Sequence, residues 1–197
     1  AGSPGCRPER AELMINCYDD VDGVYIAQTD HRFDPPPRAA SGWSGDWHPL
    51  EIGGAFPGWW SQELIDGLNL IAENEFISPR WLTSWEEGAT EQFSPALSIA
   101  GGSSWPVLTG IEYDDPANWQ WWKLAALKAD LEATNPDGFI WIDDDITKNP
   151  DALAWIRSTD VPHLVIVPSA RIGVTRSQVE EIEAFIGEFS SRVHTHR

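Results

Sequence analysis

The sequence predicts an α/β fold with a mainly parallel sheet flanked by helices, and three observations predict it. Five short strand-like runs alternate with helical patterns along the chain. Two of the runs, GFIWI at 138–142 and HLVIV at 163–167, are continuously apolar, as strands buried on both faces are. Residues capable of chemistry follow the runs, where an open parallel sheet gathers its ligand.

The first run is LMINCY, 13–18, and INCYDDVDGVYIA carries it into Asp19, Asp20, Asp22 and Gly23. An insert of about 28–60 follows, rich in Pro, Gly and Trp and without usable periodicity; it is expected to be irregular and to act as a lid. SQELIDGLNLIAEN then sets Leu64, Leu68 and Ile71 on one helical face, with Ser61 as N-cap. RWLTSW, 80–85, reads as the second strand, Glu86 to Phe93 as a short helix, and SWPVLT, 104–109, as the third strand. PANWQWWKLAALKADLEA reads as a helix opened by Pro116, with Trp119, Trp122 and Lys123 near its first turns. After GFIWI come Asp143, Asp144 and Asp145, then the helix NPDALAWIR and the strand HLVIV. In TRSQVEEIEAFIGEF, Thr175 and Gln178 form a capping box ahead of an apolar stripe of Val179, Ile182, Ile186 and Phe189.

Composition narrows the function. The 197 residues suffice for one domain with a proper core, and 42% hydrophobic content with twelve tryptophans marks a folded chain. Thirteen basic against 31 acidic residues give a formal charge of −18, which disfavours a long nucleic acid or an anionic membrane as partner. Cys6 and Cys17 offer neither a disulfide framework nor a metal knuckle, and no apolar run is long enough for a membrane span. A cytoplasmic setting is the expectation. Residues 1–12 read as a natural leader or a cloning remnant, 13–190 as the catalytic domain and 191–197 as a tail.

An isolated D-x-D-G is most often a solvated Asp-Gly turn. A calcium loop of the EF-hand type fails on spacing, because Gly23 at its sixth position would make Tyr18 the first ligand. The acidic pocket of a receiver domain fails on order, because Thr83 and Lys123 precede the acids at 143–145. Asp20 and Asp22 after the first strand, Thr83 after the second, Lys123 at a later helix start and Asp143 or Asp144 after GFIWI resemble the four motifs of the haloacid dehalogenase superfamily. RWLTSWEEGA, WWKLAAL, IWIDDDI and RIGVTRSQVEEIEAFI further resemble a small branch of that superfamily found in actinobacteria and their phages.

The resemblance implies a Rossmann-like domain whose insert replaces a full cap domain, and a Mg²⁺-dependent phosphate monoester hydrolase acting through an aspartyl-phosphate. Asp20 would be the nucleophile and Asp22 the general acid and base. Thr83 would hydrogen-bond a phosphoryl oxygen and Lys123 balance its charge, although Ser84 competes with Thr83. The metal would be held by Asp20, the backbone carbonyl of Asp22, and Asp143 or Asp144. Carbon–halogen cleavage needs no acid for the departing halide, so Asp22 disfavours dehalogenation. Asp19 is expected to be exposed or to support its neighbour, Asp145 to cap the next segment, and Lys128 to be solvated. His31, His48, His194 and His196 show no ligand spacing. The substrate expected is a phosphorylated small molecule or nucleotide, with Trp43, Trp47, Trp59 and Trp60 either stacking on a planar group or packing the insert. A nucleic-acid-end phosphatase is a narrower reading, and a non-catalytic acidic protein mimicking a polyanion is the alternative from another class.

Overall fold

The computed structural model describes residues 13–29, 34–110 and 121–195. Pro116, Trp119, His31, His196 and the leader 1–12 lie outside the described residues. A four-stranded, wholly parallel sheet runs in the order β4-β1-β5-β6, with β1 at Ile15–Asp19, β4 at Ile77–Trp81, β5 at Gly138–Ile142 and β6 at His163–Ile166. β1 pairs on both sides and is buried along its whole length.

Period-two alternation on the inner strands supplies two cores. Ile15 and Cys17 on β1, with Ile140 and Ile142 on β5, join the core that contains Leu64, Ile65 and Leu68 of α2 (Gln62–Ala72) and Ile182, Ile186 and Phe189 of α6 (Arg176–Thr195). Tyr18, Phe139 and Trp141 join the core with Leu124 and Leu127 of α4 (Trp122–Thr134) and Ala152 of α5 (Pro150–Ser158). The result is a sheet between two layers of helices, a Rossmann-like α/β architecture.

Local chemistry explains the ends. Gln178 N–H donates to Thr175 Oγ1 at 3.3 Å while Thr175 N–H donates to Gln178 Oε1 at 2.9 Å, so the capping box forms as expected. α6 continues to Thr195, through most of the expected tail. Ser61 occupies the N-cap position of α2 in extended conformation, but its hydroxyl makes no capping bond.

Several expectations are corrected or refined. The strand expected at 80–85 is β4, Ile77–Trp81. Trp81 N–H points away from β1 to Pro106 O, so Pro79, two residues earlier, has its missing N–H on the outer side, where a ladder tolerates proline. The third strand reduces to one bridge, Trp81 with Val107, flanked by Leu108 N–H donating to Trp81 O. The helix expected at Glu86–Phe93 is present and runs on: residues 87–97 are helical, with a π-helical turn over Ala89–Phe93 followed by α3 at Ser94–Leu97. β6 is an outer strand, and of its four residues only Ile166 is fully buried, so HLVIV is not covered on both faces.

The insert is also ordered. After α1 (Arg38–Ser41), β2 (Trp47–Ile52) and β3 (Ala55–Ser61) form an antiparallel hairpin. Its two-residue turn uses Gly53 and Gly54 at φ 59° and 81°, the left-handed pair that a tight hairpin requires. β3 is tied to the segment after the first strand by reciprocal Ala27–Trp59 backbone bonds of 2.7 and 2.9 Å.

Candidate active site

The chain passes from β1 to β4 on one side and then crosses back to β5 on the other, so the order reverses at the β1–β5 crevice. Ligands of open α/β sheets bind beyond the carboxyl ends of the strands at such a point. Asp20 and Asp143 follow those two strands directly, and Asp20 N–H donates to Ile142 O at 3.0 Å.

Lys123, second residue of α4, enters the crevice from the adjoining layer. Its ammonium donates to Asp20 Oδ2 at 2.6 Å and to Asp143 Oδ2 at 2.7 Å. All three residues are buried, with exposures of 5%, 6% and 0% for Asp20, Lys123 and Asp143. A cation near a helix N-terminus opposes the macrodipole, and burial opposes its charge; Asp20 and Asp143 outweigh both and hold the Lys123 pKa above its ordinary value. Burial pushes Asp143 up to about 7 against the pull of Lys123, and Asp144 up to about 6 with help from Asp145. Asp145 N–H donates to Asp143 Oδ1 at 2.8 Å; Asp145 stands at the N-cap position of the short 3-10 turn Ile146–Lys148, but its side chain makes no capping bond and pairs with Lys148 instead.

Carboxylate oxygens of Asp20, Asp143 and Asp144 lie within 4.8 Å of one another. An all-oxygen donor set of this kind suits a hard divalent cation such as Mg²⁺. The Asp22 carboxylate is not part of this group. It accepts from Trp85 Nε1 at 3.1 Å, and burial raises its pKa while hydrogen bonds from Trp85 and Gln28 pull the other way. Directly after Asp22, Gly23 adopts φ 67°, and a Cβ there would lie 2.7 Å from Asp144 Cγ; only glycine lets the first loop approach the third so closely.

Thr83 is buried and Ser84 exposed, which separates the two hydroxyls that the sequence leaves in competition. Thr83 Oγ1 accepts from Trp85 N–H at 3.3 Å and retains its own proton for donation. Leu82 N–H donates to Asp19 O at 2.9 Å, which fixes this loop beside the end of β1.

Asp19 is buried at 3% exposure, held between Cys17 Sγ at 3.4 Å and Tyr25 OH at 3.2 Å; burial raises it to about 7. Lys128 is half-buried, with its ammonium 5.7 Å from the Trp155 ring. Trp43, Trp47 and Trp59 are buried in the insert's packing, with Trp43 Nε1 donating to Val174 O at 2.9 Å and Trp59 Nε1 to Thr29 Oγ1 at 3.0 Å. Only Trp60, beside His48 at 5.4 Å between ring centroids, is partly exposed, so the four do not make a common stacking surface. Trp85 is the site residue that sequence reasoning passes over, because nothing in its neighbourhood separates it from the other tryptophans.

Comparison with family models, with curated proteins and with solved structures returns no match to this chain. Among the described residues, no helix is long and apolar enough to cross a membrane.

Proposed function

We propose that the chain is a Mg²⁺-dependent phosphate monoester hydrolase of the haloacid dehalogenase type, working in the cytoplasm through an aspartyl-phosphate. One observation carries this reading: at the β1–β5 crevice Asp20 is clustered with Lys123, Asp143 and Asp144, while Asp22, two residues on, is held apart from them with a raised pKa. A structural ion pair needs no second acid kept separate and no third carboxylate beside it. Phosphoryl transfer through an aspartyl-phosphate has a use for each of them.

The Asp20 carboxylate attacks phosphorus, and the P–O bond to the leaving group breaks with its electron pair remaining on the leaving oxygen. Asp22, protonated, gives its proton to that oxygen. A water then attacks the phosphorus of the aspartyl-phosphate and yields a proton to Asp22; the bond to Asp20 breaks, restoring its carboxylate and releasing inorganic phosphate. Lys123 offsets charge on Asp20 and the phosphoryl oxygens, and Thr83 donates to one of them. Mg²⁺ would be held by Asp20, Asp143, Asp144 and the Asp22 carbonyl, and when bound supplies neutralisation of phosphate charge. The substrate class is a phosphorylated small molecule or nucleotide.

The test is phosphate release from an aryl phosphate and a nucleotide panel, using wild type with Mg²⁺, wild type with EDTA, and Asp20→Asn. Turnover that requires Mg²⁺ and vanishes in the variant is expected. A folded wild type that releases no phosphate from any of them counts against hydrolysis and favours the acidic binding role, which requires no metal.

A further inference from the structure

We infer that Trp85 is the positioning residue for Asp22, and that its indole N–H aims the carboxyl of Asp22 at the leaving-group oxygen; the inference rests on the phosphatase reading. The contact joins separate loops: Trp85 follows β4, Asp22 follows β1, and Trp85 Nε1 donates to Asp22 Oδ2 at 3.1 Å over 63 residues of sequence. An indole has a single donor and no acceptor, so it fixes one carboxyl oxygen and cannot itself take the proton.

The chain builds Trp85 into place. Trp85 N–H is held by Thr83 Oγ1 at 3.3 Å, and Gly88 N–H donates back to Trp85 O at 2.8 Å. Its ring packs on Phe93 with centroids 5.6 Å apart, and Phe93 is fully buried against Tyr25 and Trp81. The next residue, Glu86, takes a left-handed φ of 48°, a conformation a non-glycine side chain adopts at a cost that the surrounding turn must offset. The residue proposed to contact phosphate, Thr83, therefore also anchors the residue that aims the acid, and one loop sets both. Gln28 shares the hydrogen bonding of Asp22, so loss of the indole N–H weakens the aim without abolishing it.

A misaimed acid matters only where the leaving group needs a proton. In Trp85→Phe, which keeps the ring on Phe93, kcat/KM for a primary alkyl phosphate is expected to fall about tenfold further than kcat/KM for 4-nitrophenyl phosphate, whose phenolate departs unaided. Asp22→Asn should show the same split, larger. Trp85→His, which restores a ring N–H, should recover part of the alkyl rate. Equal losses on both substrates would reduce Trp85 to a packing residue and overturn the inference while leaving the phosphatase reading intact; a wild type that hydrolyses neither overturns both. A readout independent of turnover is the ¹⁵N-tryptophan spectrum: the indole resonance lost in Trp85→Phe, or in Trp85→His if the Phe variant does not fold, should shift in Asp22→Asn. A resonance that stays in place shows that the pair does not form.

Discussion

Lys123 Nζ donates to Asp20 Oδ2 at 2.6 Å, joining the first strand to a helix 103 residues further along the chain. Both side chains are about nine-tenths buried, so this pair cannot be treated as a surface ion pair of negligible value. Removing Lys123 leaves Asp20 and Asp143 facing each other without a cation.

Lys123→Met is therefore expected to cost about 3 kcal/mol in urea unfolding at pH 8. The cost should shrink at pH 5.5, because Asp143, raised to about 7 by burial, takes a proton there in place of the lost cation. A cost that does not change with pH would mean that Lys123 contributes packing alone.

The parts of this arrangement differ in how far the sequence discloses them. GFIWI is legible as a strand because its burial on both faces leaves no polar position, and Asp143 follows directly. The Thr175–Gln178 box is legible because both partners are local. The hairpin at 47–61 is obscured by its prolines and tryptophans, although Gly53–Gly54 between two strand-like runs is a turn signal. Ser78, Pro79 and Arg80 disguise β4, since Arg80 donates to Ser78 and pairs with Asp130 within the fold. Lys123 can be placed in order along the chain, but its burial depends on Asp20 and Asp143, which only the tertiary fold brings near. Trp85 has no local signal, because its partner lies on another loop.

Acidity should act on stability in the direction opposite to the usual paired carboxylate. Burial holds Asp19 and Asp143 at about 7 and Asp144 at about 6, against an ordinary 3.8. Between those values the folded chain keeps protons the unfolded chain has released, so without metal its stability falls as pH rises from about 4 to 7. Mg²⁺ binds the ionised carboxylates, so its stabilisation should grow over the same interval, reaching about 2.7 kcal/mol at a hundredfold excess over Kd. Urea midpoints at pH 5.5 and pH 8, in EDTA and in MgCl₂, check both signs. A Mg²⁺ increment that is equal at the two values would place the cation elsewhere.

Gly23→Ala tests the approach of the first loop to the third. The new Cβ would lie 2.7 Å from Asp144 Cγ, 2.8 Å from Asp144 Oδ1 and 3.0 Å from Ala170 Cα, at a φ of 67°. A loss of about 1–3 kcal/mol is expected from backbone strain and displacement of Asp144. Mg²⁺ affinity, followed by the shift of the unfolding midpoint, should fall with it; unchanged affinity would show that Asp144 is not a ligand.

Asp130 tests whether the helix carrying Lys123 is held from its other end. It lies seven residues beyond Lys123, about two helical turns. Asp130 Oδ2 accepts from Tyr18 OH at 2.8 Å and from Asn16 Nδ2 at 3.2 Å, and pairs with Arg80 Nε at 2.7 Å. The carboxylate thus fastens α4 to β1 and β4 on the face opposite Asp19. Asp130→Ala leaves the buried Arg80 without its carboxylate, and a loss of about 3 kcal/mol is expected, whereas Tyr18→Phe removes one donor and should cost about 1 kcal/mol. If the network sets the reach of Lys123, phosphate release by Asp130→Ala should fall under conditions where the variant is fully folded, and Tyr18→Phe should change it far less. Full activity in folded Asp130→Ala would mean that Asp20 and Asp143 alone hold Lys123 in place.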